Sequence, residues 1–320
     1  MLFLGIETSC DETACAVVED GRKLLSSKLV SQIDLHRQFG GVVPEVAARR
    51  HLEAINYLVD EALEESGVDP RRLDGIACTT GPGLISTLLV GLSCAKALAW
   101  SYDVPLVAVD HIHAHVCANY IDSDLEPPFI ALVVSGGHTQ IMHFKSYDQA
   151  DIIGQTLDDA SGEAYDKVAR LLKLGYPGGP AIQAAALGGN PSAFKLPEGV
   201  VTGYDFSFSG LKTAVLRLVE NHRGDLPIQD VAACFQDAVN RVLYRKCLEA
   251  ARSLGLTRIV LAGGVAANAD LRGRFEANRE IKLYRPPLSL CTDNAAMVAA
   301  AAFYSQEPMT LSASAYSRRY

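Results

Sequence analysis

The segment Asp110-His111-Ile112-His113-Ala114-His115 puts three histidines within five residues. On a helix, His111 and His115 stand at i and i+4, so their imidazoles share a face while His113 points elsewhere. That spacing suits two ligands of one metal ion, with metal–nitrogen distances of about 2.0–2.1 Å if the ion is zinc. A polar helix with surface histidines is the plainer reading of the same residues. The order His-Glu-x-x-His does not occur here, so the general-base glutamate of a zinc protease is missing from its usual place. A third ligand would be a carboxylate from elsewhere, and Asp293, after Cys291-Thr292, is the best placed. It opens a helix, where it would equally serve as N-cap; with two oxygens a carboxylate is able to do both.

Three glycine-bearing or polar turns offer a second chemistry. Ser135-Gly136-Gly137-His138 brings backbone N–H groups close to a ligand, as phosphate or a developing oxyanion requires. Thr8-Ser9-Cys10-Asp11-Glu12-Thr13 is its counterpart near the N-terminus, and Gly263-Gly264-Val265-Ala266-Ala267-Asn268 stands between a strand and a helix, where it would receive a base or ribose. Each alone is an ordinary tight turn; three at strand ends point to a nucleotide. In Ser161-Gly162-Glu163-Ala164-Tyr165-Asp166-Lys167, Asp166 would accept from ribose hydroxyls, or the stretch is a solvated helix face with a Glu163–Lys167 pair. Tyr176-Pro177-Gly178-Gly179-Pro180 is a stiffened close-contact loop or a plain connection. The phenylalanines of Phe206-Ser207-Phe208-Ser209-Gly210-Leu211-Lys212 fit core packing better than base stacking.

These residues need a scaffold that presents strand ends, and the pattern predicts one. Residues 2–6 and 129–134 are apolar runs, each followed by a polar turn and a second strand, at 14–18 and 139–144. Third strands near 23–31 and 150–156 precede helical stretches near 44–66 and 162–172. Strand then alternates with helix: strands at 73–78, 104–109, 258–262 and 281–284, helices at 266–278 and 293–304. The repeated order indicates an internal duplication and an α/β architecture of two lobes, with ligands at strand carboxyl ends and in a cleft between lobes. The lobes are expected at residues 1–104 with 296–320, and at 105–295, the latter carrying most of the metal and nucleotide site.

Composition narrows the class. At 320 residues, 49% hydrophobic and 21% charged, the chain is globular. The most apolar stretch, near 84–100, is interrupted by Ser86, Thr87, Gly91, Ser93 and Lys96, so no membrane span is expected. The start lacks the pattern of a signal peptide. Eight cysteines without framework spacing read as free thiols in a reducing cytoplasm. A net charge of -8 argues against a generally basic nucleic-acid binder. Contact with a polyanion would depend on local cations such as Arg49, Arg50, Arg241, Arg245 and Lys246, or on a partner; these cations are equally readable as internally paired.

Taken together, the motifs closely resemble the bacterial TsaD family of tRNA N6-adenosine threonylcarbamoyltransferases, once called sialoglycoprotein endopeptidases. The matching segments are Gly5-Ile6-Glu7-Thr8-Ser9-Cys10-Asp11-Glu12-Thr13, Gly40-Gly41-Val42-Val43-Pro44-Glu45, Gly81-Pro82-Gly83-Leu84, His111 through His115, Val134-Ser135-Gly136-Gly137-His138-Thr139, Tyr176 through Pro180, Gly263-Gly264-Val265 with Asn268, and Cys291-Thr292-Asp293-Asn294. They run in order over nearly the whole chain. The resemblance implies two related RNase H-like lobes of the actin-like, sugar-kinase-like (ASKHA) fold. It implies transfer of a threonylcarbamoyl group from its adenylate to N6 of the adenosine 3′ of the anticodon in tRNAs reading ANN codons. His111, His115 and Asp293 resemble the family's metal ligands, with Fe(II) the usual ion and Zn(II) the other choice. Val133, Val134, Ser135, Gly136, Gly137, Asp166, Gly179 and Asn268 resemble its adenylate-contacting positions, and Glu12 a carboxylate near the active centre. The implied partners are TsaB and TsaE, with TsaC supplying the adenylate.

Two departures stand out. Many relatives carry Asp three residues after Pro180, where this chain has Gln183. Archaeal and eukaryotic cousins place a ligating Tyr where Val133 stands, so the bacterial form is indicated. Ser317-Arg318-Arg319-Tyr320 matches no family role. The leaving group would be AMP, so the donor arrives activated and the protein must orient the amine and stabilise an oxyanion. A metal would act as Lewis acid or template, and glycine-turn N–H donors would each contribute on the order of 10²-fold. No serine–histidine–aspartate triad is needed and the spacing shows none. The rival readings are a metallo-glycoprotease, on the histidine pair alone, and an ATP-dependent small-molecule kinase, on the fold alone.

Overall fold

The computed structural model describes residues 1–199, 201–305, 308–309 and 311–317. The chain divides into two units, Met1–Glu126 with Pro286–Tyr320, and Pro127–Arg285. In the first, β1 (Leu2–Glu7), β2 (Glu12–Glu19) and β3 (Lys23–Ser31) form an antiparallel meander, followed by α1 (Ile33–Arg37) and α2 (Pro44–Ser66). Next come β4 (Gly75–Gly81), α3 (Ile85–Tyr102), β5 (Leu106–Asp110) and α4 (His111–Cys117). The second unit contains β6 (Phe129–Val134), β7 (Thr139–Phe144), β8 (Ala150–Gln155), α5 (Ser161–Leu171), α6 (Gly178–Ala185), α7 (Ser209–Asn221), α8 (Ile228–Ser253), β9 (Arg258–Ala262), α9 (Ala269–Glu276) and β10 (Lys282–Tyr284). The chain then returns to the first unit with α10 (Ala295–Ser305) and β11 (Pro308–Met309).

The first sheet has the order β11-β5-β4-β1-β2-β3 and the second β10-β9-β6-β7-β8. In each, the first strand of the unit pairs antiparallel with the second and parallel with the fourth. The shared order establishes the duplication that the sequence indicated only faintly. Central strands β1 and β6 are apolar and buried almost throughout, because each lies inside a mixed sheet with both faces covered. Edge strand β3 alternates exposed and sheltered residues instead.

The division falls at Glu126/Pro127 and Arg285/Pro286, not at 104/105 and 295/296. Hydrogen bonding is the reason: β5 pairs in parallel with β4, so it and α4 belong to the first sheet. The metal-binding candidates therefore lie in the first unit. The helix expected at 266–278 is split, because a 3-10 turn at Gly264–Ala267 precedes α9 and the Asn268 side chain caps α9 by accepting from Leu271 N–H. The Tyr176–Pro180 stretch leads into α6 at Gly178, so it is a helix start rather than a loop.

Helices α2, α3 and α10 of the first unit pack against its sheet. Helix α10, rich in alanine, is buried from Ala295 to Ala302. It lies directly on the sheet at Gly5, where a Cβ would come within 2.3 Å of the Ala295 carbonyl oxygen. Helix α3 is the one helix among the described residues long and apolar enough to cross a membrane by length and composition. Here its face formed by Thr87, Leu88, Gly91, Leu92, Ala95 and Ala99 is buried in the unit.

Candidate functional site

Strand β5 ends on Asp110, and α4 begins on the next residue. The Asp110 carboxylate caps that helix: its Oδ1 accepts from the N–H groups of Ile112 and His113, at 3.0 and 3.1 Å. With the helix start fixed, His111 and His115 fall on one face, their ring centroids 4.6 Å apart. His113 faces Cys117, one turn on. The third member arrives from the return segment before α10. Asp293 Oδ1 lies 3.2 Å from His115 Nε2 and 3.6 Å from His111 Nε2. The competing role of helix cap falls to its neighbour, because Asn294 Oδ1 accepts from Met297 N–H at 2.9 Å.

Donor atoms of His111, His115 and Asp293 all lie within 4.8 Å of one another. His115 is 1% exposed and neither of its ring nitrogens makes a hydrogen bond. A buried imidazole whose ring nitrogens make no hydrogen bond is costly unless a ligand satisfies it. Two imidazoles and one carboxylate converging on one point fit a divalent metal ion with open coordination positions.

Behind His111 stands Glu7, to which the spacing of the sequence assigns no role. It ends β1, is fully buried, and puts Oε2 3.4 Å from His111 Nδ1. Its other oxygen accepts from Ser9 N–H at 2.6 Å, and Oε2 also accepts from the Thr79 hydroxyl. A carboxylate behind a ligating imidazole fixes its orientation and raises its basicity. Burial alone would lower the His111 pKa, but the charges of Asp293 and Glu7 outweigh it and hold the imidazole up at about 9. In the metal-free protein His111 is thus protonated at neutral pH, and metal uptake must release that proton. Apparent metal affinity is therefore expected to rise about tenfold per pH unit from pH 6 toward 9 and then level off. Calorimetric titration with Zn(II) across that range checks it, and a flat profile would contradict the assignment.

Glu12 also lies in this unit, at the start of β2, and is 6% exposed. Burial first, then the charges of Asp293 and Asp11, push its carboxyl up to about 10, while a hydrogen bond from the Ser31 hydroxyl opposes them. The turn between Glu7 and Glu12 is pinned from outside. Leu84 N–H and the Thr87 hydroxyl both donate to the Ser9 carbonyl. It is a turn of carboxylates beside the histidines, not a second anion nest. Tyr316 closes the far side of Asp110, its hydroxyl 2.8 Å from both Asp110 Oδ2 and the Gly81 carbonyl. Of the terminal motif only Ser317 is described; residues 318–320 lie outside the described residues.

In the second unit, Val133 and Val134 are fully buried in β6, which delivers Ser135 to the turn. The Ser135 carbonyl accepts from Gly162 N–H at 3.2 Å, which sets the start of α5 against the turn. A Cβ on Gly162 would meet that carbonyl oxygen at 2.5 Å, and one on Gly263 would meet the Val134 oxygen at 2.5 Å. Gly136 and Gly137 are exposed, with open space where a Cβ would be. An exposed Gly-Gly turn set against the start of α5 is an arrangement suited to an anion.

The other candidates of this unit have partners in the chain. Asp166 Oδ1 accepts from Gly178 N–H at 2.7 Å, at the start of α6. Gly179 follows on the same helix start, with nothing near its Cβ position. Asn268 is 7% exposed; besides capping α9 it accepts from Asn240 and donates to Gln236, both at 2.9 Å. Gln183 accepts from Ala269 N–H at 2.7 Å, so it ties α6 to α9. The Glu163–Lys167 pair is present at 2.8 Å, and Phe206 and Phe208 are buried and stacked.

The basic residues are mostly committed elsewhere. Lys246 is buried and donates to the carbonyls of Val201, Gly203 and Asp205. Arg241 pairs with Glu198 and Asp237, Arg245 with Glu198 and Glu249, and Arg50 with Glu53.

Both sheets with their shared strand order place this chain among the actin-like, sugar-kinase-like α/β proteins, and solved structures agree. It is similar to component A of (R)-2-hydroxyglutaryl-CoA dehydratase from Acidaminococcus fermentans, with a TM-score of 0.55 and 14% identity over 95% of this chain and 98% of that one. It is also similar to a ROK hexokinase from Thermus thermophilus, with a TM-score of 0.51 and 16% identity over 96% and 98%. At such identities the likeness is one of fold. Sequence is more specific. A protein of Microcystis aeruginosa named tRNA N6-adenosine threonylcarbamoyltransferase is 52% identical, over 94% of this chain and 91% of its own length. One of the same name from Caldicellulosiruptor bescii is 51% identical over 95% and 93%. Residues 23–300 match the family TsaD, described as tRNA N6-adenosine threonylcarbamoyltransferase, and the chain belongs to that family.

Proposed function

We propose that this chain carries out the reaction its family is named for. It would move a threonylcarbamoyl group from threonylcarbamoyl-adenylate to N6 of the adenosine 3′ of the anticodon in tRNAs reading ANN codons. The observation that carries the site assignment is the buried His115, its ring nitrogens without a hydrogen bond, converging with His111 and Asp293. These three would hold one divalent ion, and two imidazoles with one carboxylate and open positions suit Fe(II), with Zn(II) the second choice. When bound, the ion supplies Lewis acidity toward donor oxygens. The rest is work for the chain. Glu7 orients His111. The amides of Gly136 and Gly137 would face the donor's phosphate or carbamoyl oxygen, with Val133, Val134 and Ser135 forming the floor and Asp166, Gly179 and Asn268 lining the ribose and base side. Because Asp166 already accepts from Gly178 N–H and Asn268 already caps α9, each would contact the nucleotide with what capacity remains.

We assign to Glu12 the proton of the attacking amine. The N6–carbon bond forms, the bond from the carbamoyl carbon to the phosphate oxygen breaks, AMP leaves, and the amine proton passes to the carboxylate. A carboxyl with a raised pKa is the better base once ionised, and a cation held on Asp293 would remove one of the charges that keep Glu12 protonated. The protease reading has only the histidine pair behind it, and the kinase reading only the fold. Mass spectrometry of tRNA digests from a strain depleted of this chain tests all three. Loss of threonylcarbamoyl-adenosine, restored by the intact chain and not by His115→Ala, is the expected result.

The partners TsaB and TsaE, with TsaC as source of the adenylate, belong to the same reading, as does a cytoplasmic location, with which eight free cysteines agree. With most basic residues internally paired, tRNA would be held chiefly by the assembly. The α3 face on which Ile85, Leu89, Ser93, Ala97 and Trp100 are exposed, Trp100 to 77%, would suit a partner helix. Large aromatic anchors carry much of the energy of protein interfaces. The double variant Leu89→Glu, Trp100→Glu is expected to weaken binding of purified TsaB by at least about 30-fold, since truncating one such anchor costs about 2 kcal/mol or more. Its metal content should stay unchanged, and unimpaired binding would move the interface elsewhere.

A further inference from the structure

Between the loop at residues 40–43 and the turn that carries Glu12, the first unit encloses a file of polar side chains that the metal chemistry does not use. Its members are His36, Gln32, His51 and Thr13, all at most 5% exposed. The file has a direction. Val43 N–H donates to His36 Nδ1 at 3.3 Å, so the proton of His36 must sit on Nε2. That nitrogen lies 3.3 Å from Gln32 Oε1, which accepts. The Gln32 amide then donates to the Ala47 carbonyl at 3.3 Å and faces His51 Nδ1 at 3.5 Å. The Thr13 hydroxyl donates to the same Nδ1 at 2.7 Å. With Nδ1 accepting, His51 carries its proton on Nε2 and donates it to the Cys10 carbonyl at 3.0 Å. Burial, the largest effect on His51, lowers its pKa and keeps it neutral, as this pattern requires.

A buried apolar side chain would pack this space without the cost of desolvating four polar groups. What the file supplies instead is a fixed donor aimed at one backbone carbonyl, two residues before Glu12. The same turn is held from the other side by Gln32 N–H on the Asp11 carbonyl and the Ser31 hydroxyl on Glu12 Oε1. We propose that His51 is a positioning residue for the transfer reaction: its Nε2–H, oriented by Thr13, Gln32 and His36, sets the Cys10–Glu12 turn so that the Glu12 carboxylate meets the amine. The proposal rests on Glu12 as acceptor of the amine proton.

The test is single-turnover transfer from threonylcarbamoyl-adenylate to an unmodified tRNA transcript, by the metal-loaded chain with its partner proteins. His51→Leu is expected to lower kcat about 30-fold, since small misplacements of a catalytic group cost up to about 10²-fold. KM for both substrates and metal content should be unchanged. His51→Gln keeps a donor at the ε position and is expected to recover to within about threefold of the original rate, whereas His51→Asn, which keeps only the inner position, is expected to fall with leucine. Equal rates for the Gln and Asn variants, or metal loss in step with rate loss, would overturn the positioning role. If the leucine variant does not fold, the Gln and Asn pair still decides. Glu12→Gln is measured in parallel. A slow Glu12→Gln with an unaffected His51→Leu overturns the role of His51 alone, while a Glu12→Gln at full rate removes Glu12 and both readings together.

Discussion

Changing His115 to alanine should leave a folded protein that no longer retains its metal and transfers threonylcarbamoyl at least about 10³-fold more slowly. The size follows from the ligand set. Losing a group that merely orients a ligand costs about 10–100-fold in metal affinity or activity, and removing one of three converging ligands must cost more. Glu7→Gln supplies the smaller effect for comparison: the polar contact to His111 is kept but the charge is lost, so affinity should fall within that 10–100-fold range. His113→Ala is the control, because its ring faces Cys117. Metal analysis by mass spectrometry, together with the transfer assay, reads all three. Full metal content in His115→Ala would refute the centre.

Gly263→Ala is expected to reduce transfer on the order of 10²-fold by a different route, with metal content intact. Gly263 has φ of 87° and its absent Cβ would lie 2.5 Å from the Val134 carbonyl oxygen. An alanine there incurs about 1–3 kcal/mol of backbone strain and must also push the end of β6 away. That strand end delivers the Ser135 turn, and displacement of about 1 Å at a binding turn is enough for a 10²-fold loss. Gly273→Ala, on α9 with open space around its Cβ position, should be neutral or slightly stabilising, by about 0.5–1 kcal/mol. Donor binding is measured directly with a non-hydrolysable adenylate. If Gly263→Ala binds it normally, the turn is not part of the donor site.

The contrast between what the residues disclosed and what they did not has a physical basis. The strands and the histidine pair were legible because periods of 2.0 and 3.6 and an i,i+4 spacing are local properties. Glu7 was not, although its letter stood in the matched motif. Its role depends on β1, β4 and β5 lying side by side, which brings Glu7 to Thr79 and His111 across many residues of chain. The choice between Asp293 and Asn294 as cap was likewise invisible, since either residue type serves. Lys246 looked like a surface cation because lysine usually is one; only the fold shows three carbonyls closing on it. The unit boundaries shifted because pairing of β5 with β4 is decided by the sheet and not by any break in composition.

The return of the chain to its first unit has a consequence for how the protein is made. The second unit is one uninterrupted stretch, Pro127–Arg285, whereas the first needs Pro286 onward to finish it. On a ribosome, His111 and His115 emerge well over a hundred residues before Asp293 does. A nascent chain released early therefore presents two imidazoles without their carboxylate, and without α10 on the face of β1. The inserted unit is free to fold while the enclosing one waits. An ion held by all three residues, as proposed above, would thereby wait for Asp293 and the segment that follows the inserted unit.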